Sequence, residues 1–320
     1  MPICKWITCG STADLMRSSS RSGDVRPTRA DNLANQQAAT SAASDFSEYI
    51  GRSETVRGRI VAQSMELLAA ALNRNFDDIS PTGALPPLWH LLILQKPAPQ
   101  SELGPDGHPK RGGLIPPIPY PRRMFAGSRV QFIAPLYVGE EVQRTTTIKS
   151  VIPKAGRTGN LVFVSLEQVF RGPNGVAIID EQDLVFREND GPKTDVPRAQ
   201  ADRGRPSGFV AVETVYPDPV LLFRYSAAAG ISHRIHYDLE YVKTVEGYPN
   251  LIVHGPLQAV LLADLAVRHL GRSLRSFEFR MLKPAFVDTP LYCVVSESTG
   301  KTSFQTLDPI HDVCTSAQAN

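Results

Sequence analysis

Ser232-His233-Arg234-Ile235-His236-Tyr237-Asp238, followed by Val253-His254-Gly255-Pro256-Leu257, is the stretch on which the reading of this chain turns. It places two histidines and an arginine in a short polar turn. Downstream, Gly255-Pro256 opens an apolar run to Leu270, in which Leu257, Val260, Leu261, Leu265 and Leu270 recur as the buried stripe of a helix. Bases on a turn, beside the bare N–H groups of a helix start, suit proton transfer next to a carbonyl group.

Around this stretch the sequence reads as helix followed by strands, twice. Arg57 to Leu72 has helical spacing, with Val61, Met65, Leu68 and Leu72 on one face. Residues 81–123 carry eleven prolines, which forbids a long helix or a central strand there, apart from a short helical piece at Trp89–Gln95. Val142–Ile148, Leu161–Phe170 and Ala177–Phe186 read as strands separated by glycine turns. Asp218–Ala229 is apolar and helical at its end, and Leu274–Phe286 and Leu291–Glu297 read as strands. A short internal echo joins the halves: Val130-x-Phe132-x-x-Pro135-x-x-Val138-Gly139 matches Phe279-x-Met281-x-x-Pro284-x-x-Val287-Asp288. The expected architecture is α+β, with an antiparallel sheet curled around a central helix in each half, because a helix with one broad apolar face needs a cover.

The chain is expected to divide into a disordered or targeting extension over residues 1–44 and an N-terminal domain with a Pro-rich insertion over 45–188. A linker over 189–208 and a C-terminal domain over 209–320 complete it. Its 320 residues, 42% hydrophobic and 21% charged, suit a globular protein, and the net charge of +2 is too small to argue for nucleic acid. No run approaches the roughly 18 apolar residues of a membrane span. Cys4, Cys9, Cys293 and Cys314 suit neither a disulfide framework nor a zinc site. The first 44 residues are rich in Ser, Ala and Arg, which suits a mitochondrial segment, while Asp14, Asp24 and Asp31 oppose that. The location is therefore read as mitochondrial, or else cytoplasmic.

Tyr225-Ser226-Ala227-x-x-Gly230-x-x-x-x-Ile235-His236-Tyr237-Asp238, with Val253-His254-Gly255, resembles the MaoC-like, type 2 enoyl-CoA hydratases. Within them the chain is similar to the branch of mesaconyl-C4-CoA (3-methylfumaryl-CoA) hydratases and mitochondrial 3-hydroxyacyl-thioester dehydratases type 2. Leu85-Pro86-Pro87-Leu88-Trp89-His90, Asp106-Gly107-His108-Pro109-Lys110-Arg111-Gly112-Gly113, Pro121-Arg122-Arg123-Met124 and Glu181-Gln182-Asp183 agree with that branch, as does the stretch from Gly156-Arg157 through Gly159 to Val164. The resemblance spans about residues 45–295 and implies a tandem hot-dog fold whose first half has lost the acid/base turn. It also implies reversible hydration of a 2-enoyl thioester, or dehydration of the 3-hydroxyacyl thioester. The family's usual Asp falls on Ile231, its Asn on His233 and its Pro on Arg234; only the His is kept, as His236.

On this reading His236 is the catalytic base, with His233 sharing the proton work or only holding the loop. The N–H at Gly255 receives the thioester oxygen, or Gly255-Pro256 simply starts the helix. Arg234 either clamps a second substrate carboxylate or packs onto Asp238. His254 caps the helix or lines the pocket. Arg122 and Arg123, with Lys110 and Arg111, either meet phosphates or a carboxylate, or are solvated. Asp106 and His108 alone are too few donors for a metal, so no metal and no redox cofactor is expected. The expected partner is an acyl thioester on coenzyme A or acyl carrier protein, and a homodimer is among the expected states. Residues 301–320 show no clear alternation, so the second domain is read as truncated or altered at its end. The competing reading is a non-catalytic acyl-CoA or lipid-binding hot-dog protein.

Overall fold

One continuous ten-stranded sheet forms the body of the protein, and its strand order is a palindrome of two halves. The computed structural model describes residues 46–156, 159–188, 202–298 and 300–320. The extension over 1–44, Arg157 and residues 189–201 of the expected linker lie outside the described residues.

The first half contributes β1 (Ser53–Arg59), β2 (Arg122–Phe132), β3 (Glu141–Gly156), β4 (Gly159–Gly172) and β5 (Gly175–Arg187). The second contributes β6 (Ala211–Val215), β7 (Ser276–Met281), β8 (Leu291–Ser298), β9 (Lys301–Leu307) and β10 (Val313–Ala319). The order is β1-β3-β4-β5-β2-β7-β10-β9-β8-β6, so each strand of one half has a counterpart in the other, and β2 pairs antiparallel with β7 at the centre. Arg129 faces Glu278 across that seam. These two residues are separated in sequence by the same interval as Gly139 and Asp288, which both turn the chain with positive φ (90° and 61°) after β2 and β7. The sequence echo is therefore a repeat of backbone geometry.

The helices follow the same plan, with one loss. α1 (Ala62–Ala71) packs on α2 (Pro219–Ala229). α3 (Gly255–Leu270) lies against β7, β8, β9 and β10, capped at its end by Gly271 in the left-handed region. Its buried residues, Leu257, Gln258, Ala259, Val260, Leu262, Ala263, Leu265 and Ala266, run most of the way round it. Leu261 and Leu270 of the expected stripe are only half-buried. In the first half the corresponding helix is reduced to a single 3-10 turn, Trp89–Leu92, rather than the central helix expected in each half. The prolines upstream, and Leu88 held at φ +67°, interrupt the chain there. Trp89 is core, its ring tilted against that of Phe76 with centroids 5.8 Å apart. The tandem hot-dog plan thus holds, with one full helix and one remnant.

Two further expectations change. Arg57 does not begin a helix: residues 53–59 form β1, paired with β3 from Ser53↔Thr147 to Arg59↔Glu141, and the helix starts at Ala62. The stretch 301–320 is not strandless, since β9 and β10 pair with each other and β10 closes on β7.

Candidate functional site

The turn of residues 231–238 is set by the end of α2. Gly230 adopts φ +62° as its cap, and Ile231 N–H returns to the Ser226 carbonyl at 2.9 Å. Ile231, at the position of the usual acid, packs on the apolar core and brings no carboxylate. A 3-10 turn, Arg234–His236, then carries His236 inward.

His236 is buried, and its Nδ1 lies 2.7 Å from the Ile252 carbonyl. A carbonyl only accepts, so Nδ1 carries the proton and Nε2 keeps its lone pair. Burial lowers its pKa to about 4, despite the Ile252 bond. Its ring stacks on His254, with centroids 3.6 Å apart and planes 18° apart. His254 is anchored by a 2.8 Å contact between its Nε2 and Ser226 Oγ, and burial holds its pKa well below the ordinary imidazole value. The next residue, Gly255, opens α3, where the first N–H groups have no intrahelical acceptor and the helix dipole favours negative charge. A Cβ at Gly255 would come within 2.8 Å of Met281 Sδ, so a larger residue there would have to displace the Met281 side chain of β7.

Behind the helix start, Gln258 Oε1 accepts from Thr306 Oγ1 (2.7 Å) and Thr315 Oγ1 (2.9 Å). This buried network holds the first turn of α3 against β9 and β10.

The turn meets a loop from the first half. Arg234 N–H donates to the Asp106 carbonyl at 2.9 Å, Ser232 Oγ donates to the Gly107 carbonyl at 2.5 Å, and Arg234 Nη1 donates to the Pro105 carbonyl at 3.0 Å. Gly107 has φ +88°, and a Cβ there would collide with the backbone of Ser232. The docking sets the ring of His108 4.2 Å from that of His233, which in turn lies edge-on to His236 at 5.6 Å. Asp106 Oδ1 accepts the His108 N–H at 3.0 Å, and its Oδ2 lies 3.3 Å from His108 Nδ1. Burial raises the Asp106 pKa, but the contacts with His108 outweigh it and bring it to about 2. His233 is buried with no carboxylate of its own, and burial chiefly brings its pKa to about 2. Burial and the Arg123 charge lower the pKa of His108, while Asp106 raises it.

The arginines separate by role. Arg234 is engaged within the turn: Asp238 binds it at 2.7 Å, and its guanidinium lies over Tyr241. Arg122 is buried and donates to the Glu246 carbonyl at 3.0 Å. Arg111 is consumed by the carbonyls of Ile118, Tyr120 and Pro121, and Lys110 by that of Ser101. Arg123 is half-buried beside His108, with Phe186 as its ring neighbour at 6.0 Å and no hydrogen bond or ion pair among the described residues.

The structure therefore brings His233, His236, His254 and Gly255 together, sets the expected Arg123 beside His108, and pairs Arg122 with Glu246 and Arg234 with Asp238. Sequence reasoning missed the reach of Asp106 and His108 into this cluster, and the roles of Ser226 and Gln258. The Pro-Asp-Gly-His-Pro stretch signals a turn, but nothing in its spacing says which distant surface it docks on. Asp106 and His108 are also not alone as donors: with His233 they form a set lying within 4.8 Å of one another, close enough to hold one ion. Cys293 and Cys314 are buried free thiols. No described helix is long and apolar enough to cross a membrane.

Comparison with known proteins gives a consistent picture. Residues 88–287 match the family model for hydroxyacyl-thioester dehydratase type 2. The chain is 44% identical over 242 residues to the mesaconyl-C(4)-CoA hydratase of Chloroflexus aurantiacus, covering 76% of this chain and 85% of that protein. It is 24% identical over 242 residues to the mitochondrial hydroxyacyl-thioester dehydratase type 2 of Schizosaccharomyces pombe, covering 67% and 79%. Among solved structures, a MaoC-like dehydratase from Phytophthora capsici shares the fold with a TM-score of 0.62 at 15% identity, covering 86% of this chain and 99% of that one.

Proposed function

The chain belongs to the hydroxyacyl-thioester dehydratase type 2 family and is a hydro-lyase acting on thioesters; from that premise we propose that its substrate is a short dicarboxylic enoyl mono-thioester of the mesaconyl-C4-CoA kind. The observation that carries the site assignment is His236, locked with Nε2 as its free base and stacked against the residue that precedes the helix start. In this reading the thioester oxygen accepts from the Gly255 N–H, where the first turn of α3 stabilises the negative charge that develops on it. His236 Nε2 exchanges the proton at Cα, one bond from the carbonyl carbon. His254 supports the His236 ring from beneath. The reaction changes no net oxidation state, so the proposal calls for no redox cofactor, and the carrier is coenzyme A or acyl carrier protein.

Arg123 is the reason for favouring a dicarboxylic acyl group. A half-buried guanidinium with no carboxylate bonded to it is suited to bind a second carboxylate bidentately. A linear 3-hydroxyacyl thioester is the second reading, favoured by the similarity to the yeast dehydratase. We also propose a mitochondrial destination, supported by the Arg- and Ser-rich first 44 residues; fusing them to a fluorescent reporter tests it. Activity is tested by the change in enoyl absorbance on adding the protein to mesaconyl-C4-CoA or crotonyl-CoA. The wild type should consume both, the dicarboxylic thioester with the higher kcat/KM. His236→Ala should lower kcat by about 10²–10⁴-fold without unfolding the protein. Tight thioester binding with no turnover would instead identify a binding protein.

A further inference from the structure

Hydration across a C=C bond needs two proton transfers, one at Cα and one at the oxygen on Cβ. His236 accounts for one. The usual second group is absent, since Ile231 occupies its place and packs on the core. The first half supplies a substitute. Among the imidazoles of the cluster only His108 has a carboxylate on its ring, through the 3.3 Å contact of Nδ1 with Asp106 Oδ2. A carboxylate on Nδ1 fixes the tautomer, leaves Nε2 for chemistry, and stabilises the imidazolium. His108 is also the partly exposed ring of the cluster, whereas His233 and His236 are buried.

We propose that His108, oriented by Asp106, is the second catalytic residue of this hydro-lyase, exchanging the proton of the β-oxygen while His236 serves Cα. The inference rests on the hydro-lyase reading above. The order of groups gives the division of labour. His254 precedes the oxyanion position at Gly255, His236 stacks on His254, His233 lies edge-on to His236 at 5.6 Å, and His108 stands 4.2 Å from His233. The acyl chain runs the same way, from carbonyl carbon to Cα to Cβ.

In the dehydration direction, neutral His236 takes the Cα proton at Nε2, and the C–H electron pair moves into the enolate held at Gly255. That pair then forms the C=C bond as the Cβ–O bond breaks. The oxygen leaves with the bond pair and takes the proton of His108 Nε2, departing as water. Hydration is the reverse, and solvent returns both histidines to their starting states.

His233 does not fill this role. It has no carboxylate of its own and is held as the neutral ring between its neighbours. A metal ion would use the same three donors, but Arg123 and Arg111 set positive charge against His108, which opposes a divalent cation. Those charges have a second effect. Arg123 lowers the basicity of His108, so a substrate carboxylate seated on Arg123 would relieve the repulsion and favour the acid form of His108.

The test uses the full chain and four variants: His108→Ala, His108→Gln, Asp106→Asn and His236→Ala. Rates are measured on mesaconyl-C4-CoA and crotonyl-CoA. Deuterium wash-in at Cα of butyryl-CoA, which has no β-oxygen, isolates the Cα step. His108→Ala is expected to lower kcat by about 100-fold or more with KM changed little, and to retain Cα exchange, which His236→Ala loses. Asp106→Asn keeps the acceptor for the His108 N–H and loses the charge. It should lower kcat about tenfold and move the pH profile of kcat/KM, a change that a merely structural role would not produce. His108→Gln answers the question if His108→Ala melts early. Wild-type-like kcat in both His108 variants overturns the inference and leaves the hydro-lyase reading standing if His236→Ala is dead. Loss of wild-type activity on dialysis against EDTA, restored by zinc, overturns it in favour of a metal. A wild type inert on both substrates removes both readings.

Discussion

Gly107→Ala tests the docking of the two halves. Gly107 holds φ +88°, and its missing Cβ is where the Ser232 carbonyl sits. The left-handed backbone alone costs an alanine about 1–2 kcal/mol. Three hydrogen bonds hold the loop down, from Ser232 Oγ, Arg234 N and Arg234 Nη1 to the carbonyls of Gly107, Asp106 and Pro105. At about 1 kcal/mol each they contribute about 3 kcal/mol. Overlap with a backbone carbonyl cannot be relieved by a rotamer change, so the loop should lift rather than tolerate the methyl group. Lifting caps the stability loss at about the docking energy and moves His108 away from His233. The expected result is a melting temperature lowered by several degrees and a kcat lowered about 100-fold or more. Gly112→Ala is the control: it has φ +104° in the same Pro-rich segment but no atom within 4 Å of its would-be Cβ. It should suffer the strain alone and keep its activity. Hydrogen exchange over residues 105–108, melting curves and kcat are the measurements. Wild-type activity and protection in Gly107→Ala would refute the argument that this contact assembles the site.

Three further outcomes follow from the same geometry. His236 and His233 titrate at about 4 and about 2, below the 6.5 of a free imidazole, so the unfolded chain takes up protons that the folded chain refuses. Stability should be full above about pH 6.5 and fall as the pH drops toward 4, His236 alone contributing about 3 kcal/mol; a melting temperature flat over that window would contradict neutral burial. Arg123→Gln should raise KM for mesaconyl-C4-CoA by roughly 10–100-fold, the equivalent of one charged hydrogen-bonded contact, and leave crotonyl-CoA little changed; equal effects on both would remove its carboxylate role. Asp180, fully buried, accepts from Ser128, Gln182 and His90, so Asp180→Ala should cost about 3–5 kcal/mol and lower the melting temperature by on the order of 10 °C, whereas a shift under about 2 °C would show the network to be dispensable.

The legible parts of the fold were those whose side-chain period survives burial. Gly255–Leu270 carries a proline in its first turn, a glycine just past its end and a strong apolar run, and α3 has those bounds. β4 and β5 alternate along most of their length. β1 is an edge strand whose residues are only exposed or half-buried, so Ser53–Arg59 lacks an apolar face and was absorbed into the helical pattern that follows. β9 and β10 escaped for a different reason. Their inward positions include Thr306, Thr315 and Ala317, small or polar because Gln258 hydrogen-bonds the two threonines. At the site, His236, His254 and Gly255 share one local segment, so a short motif exposes them. His108 belongs to the cluster only through a docking contact between residues more than a hundred positions apart, for which one sequence holds no periodic or motif signal.

The β2–β7 seam carries a genetic consequence. In an assembly of two identical chains, each substitution appears on both sides of the symmetry axis, and a change useful on one side must be tolerable on the other. Here the two sides are encoded separately. One copy can shorten its helix to the turn at Trp89 and grow a Pro-rich loop, while the other keeps α3 and the histidine turn. That freedom has a limit built into it. Once the loop of one copy fits the turn of the other, neither can be swapped for a relative's version alone, and the pair is inherited as a single unit.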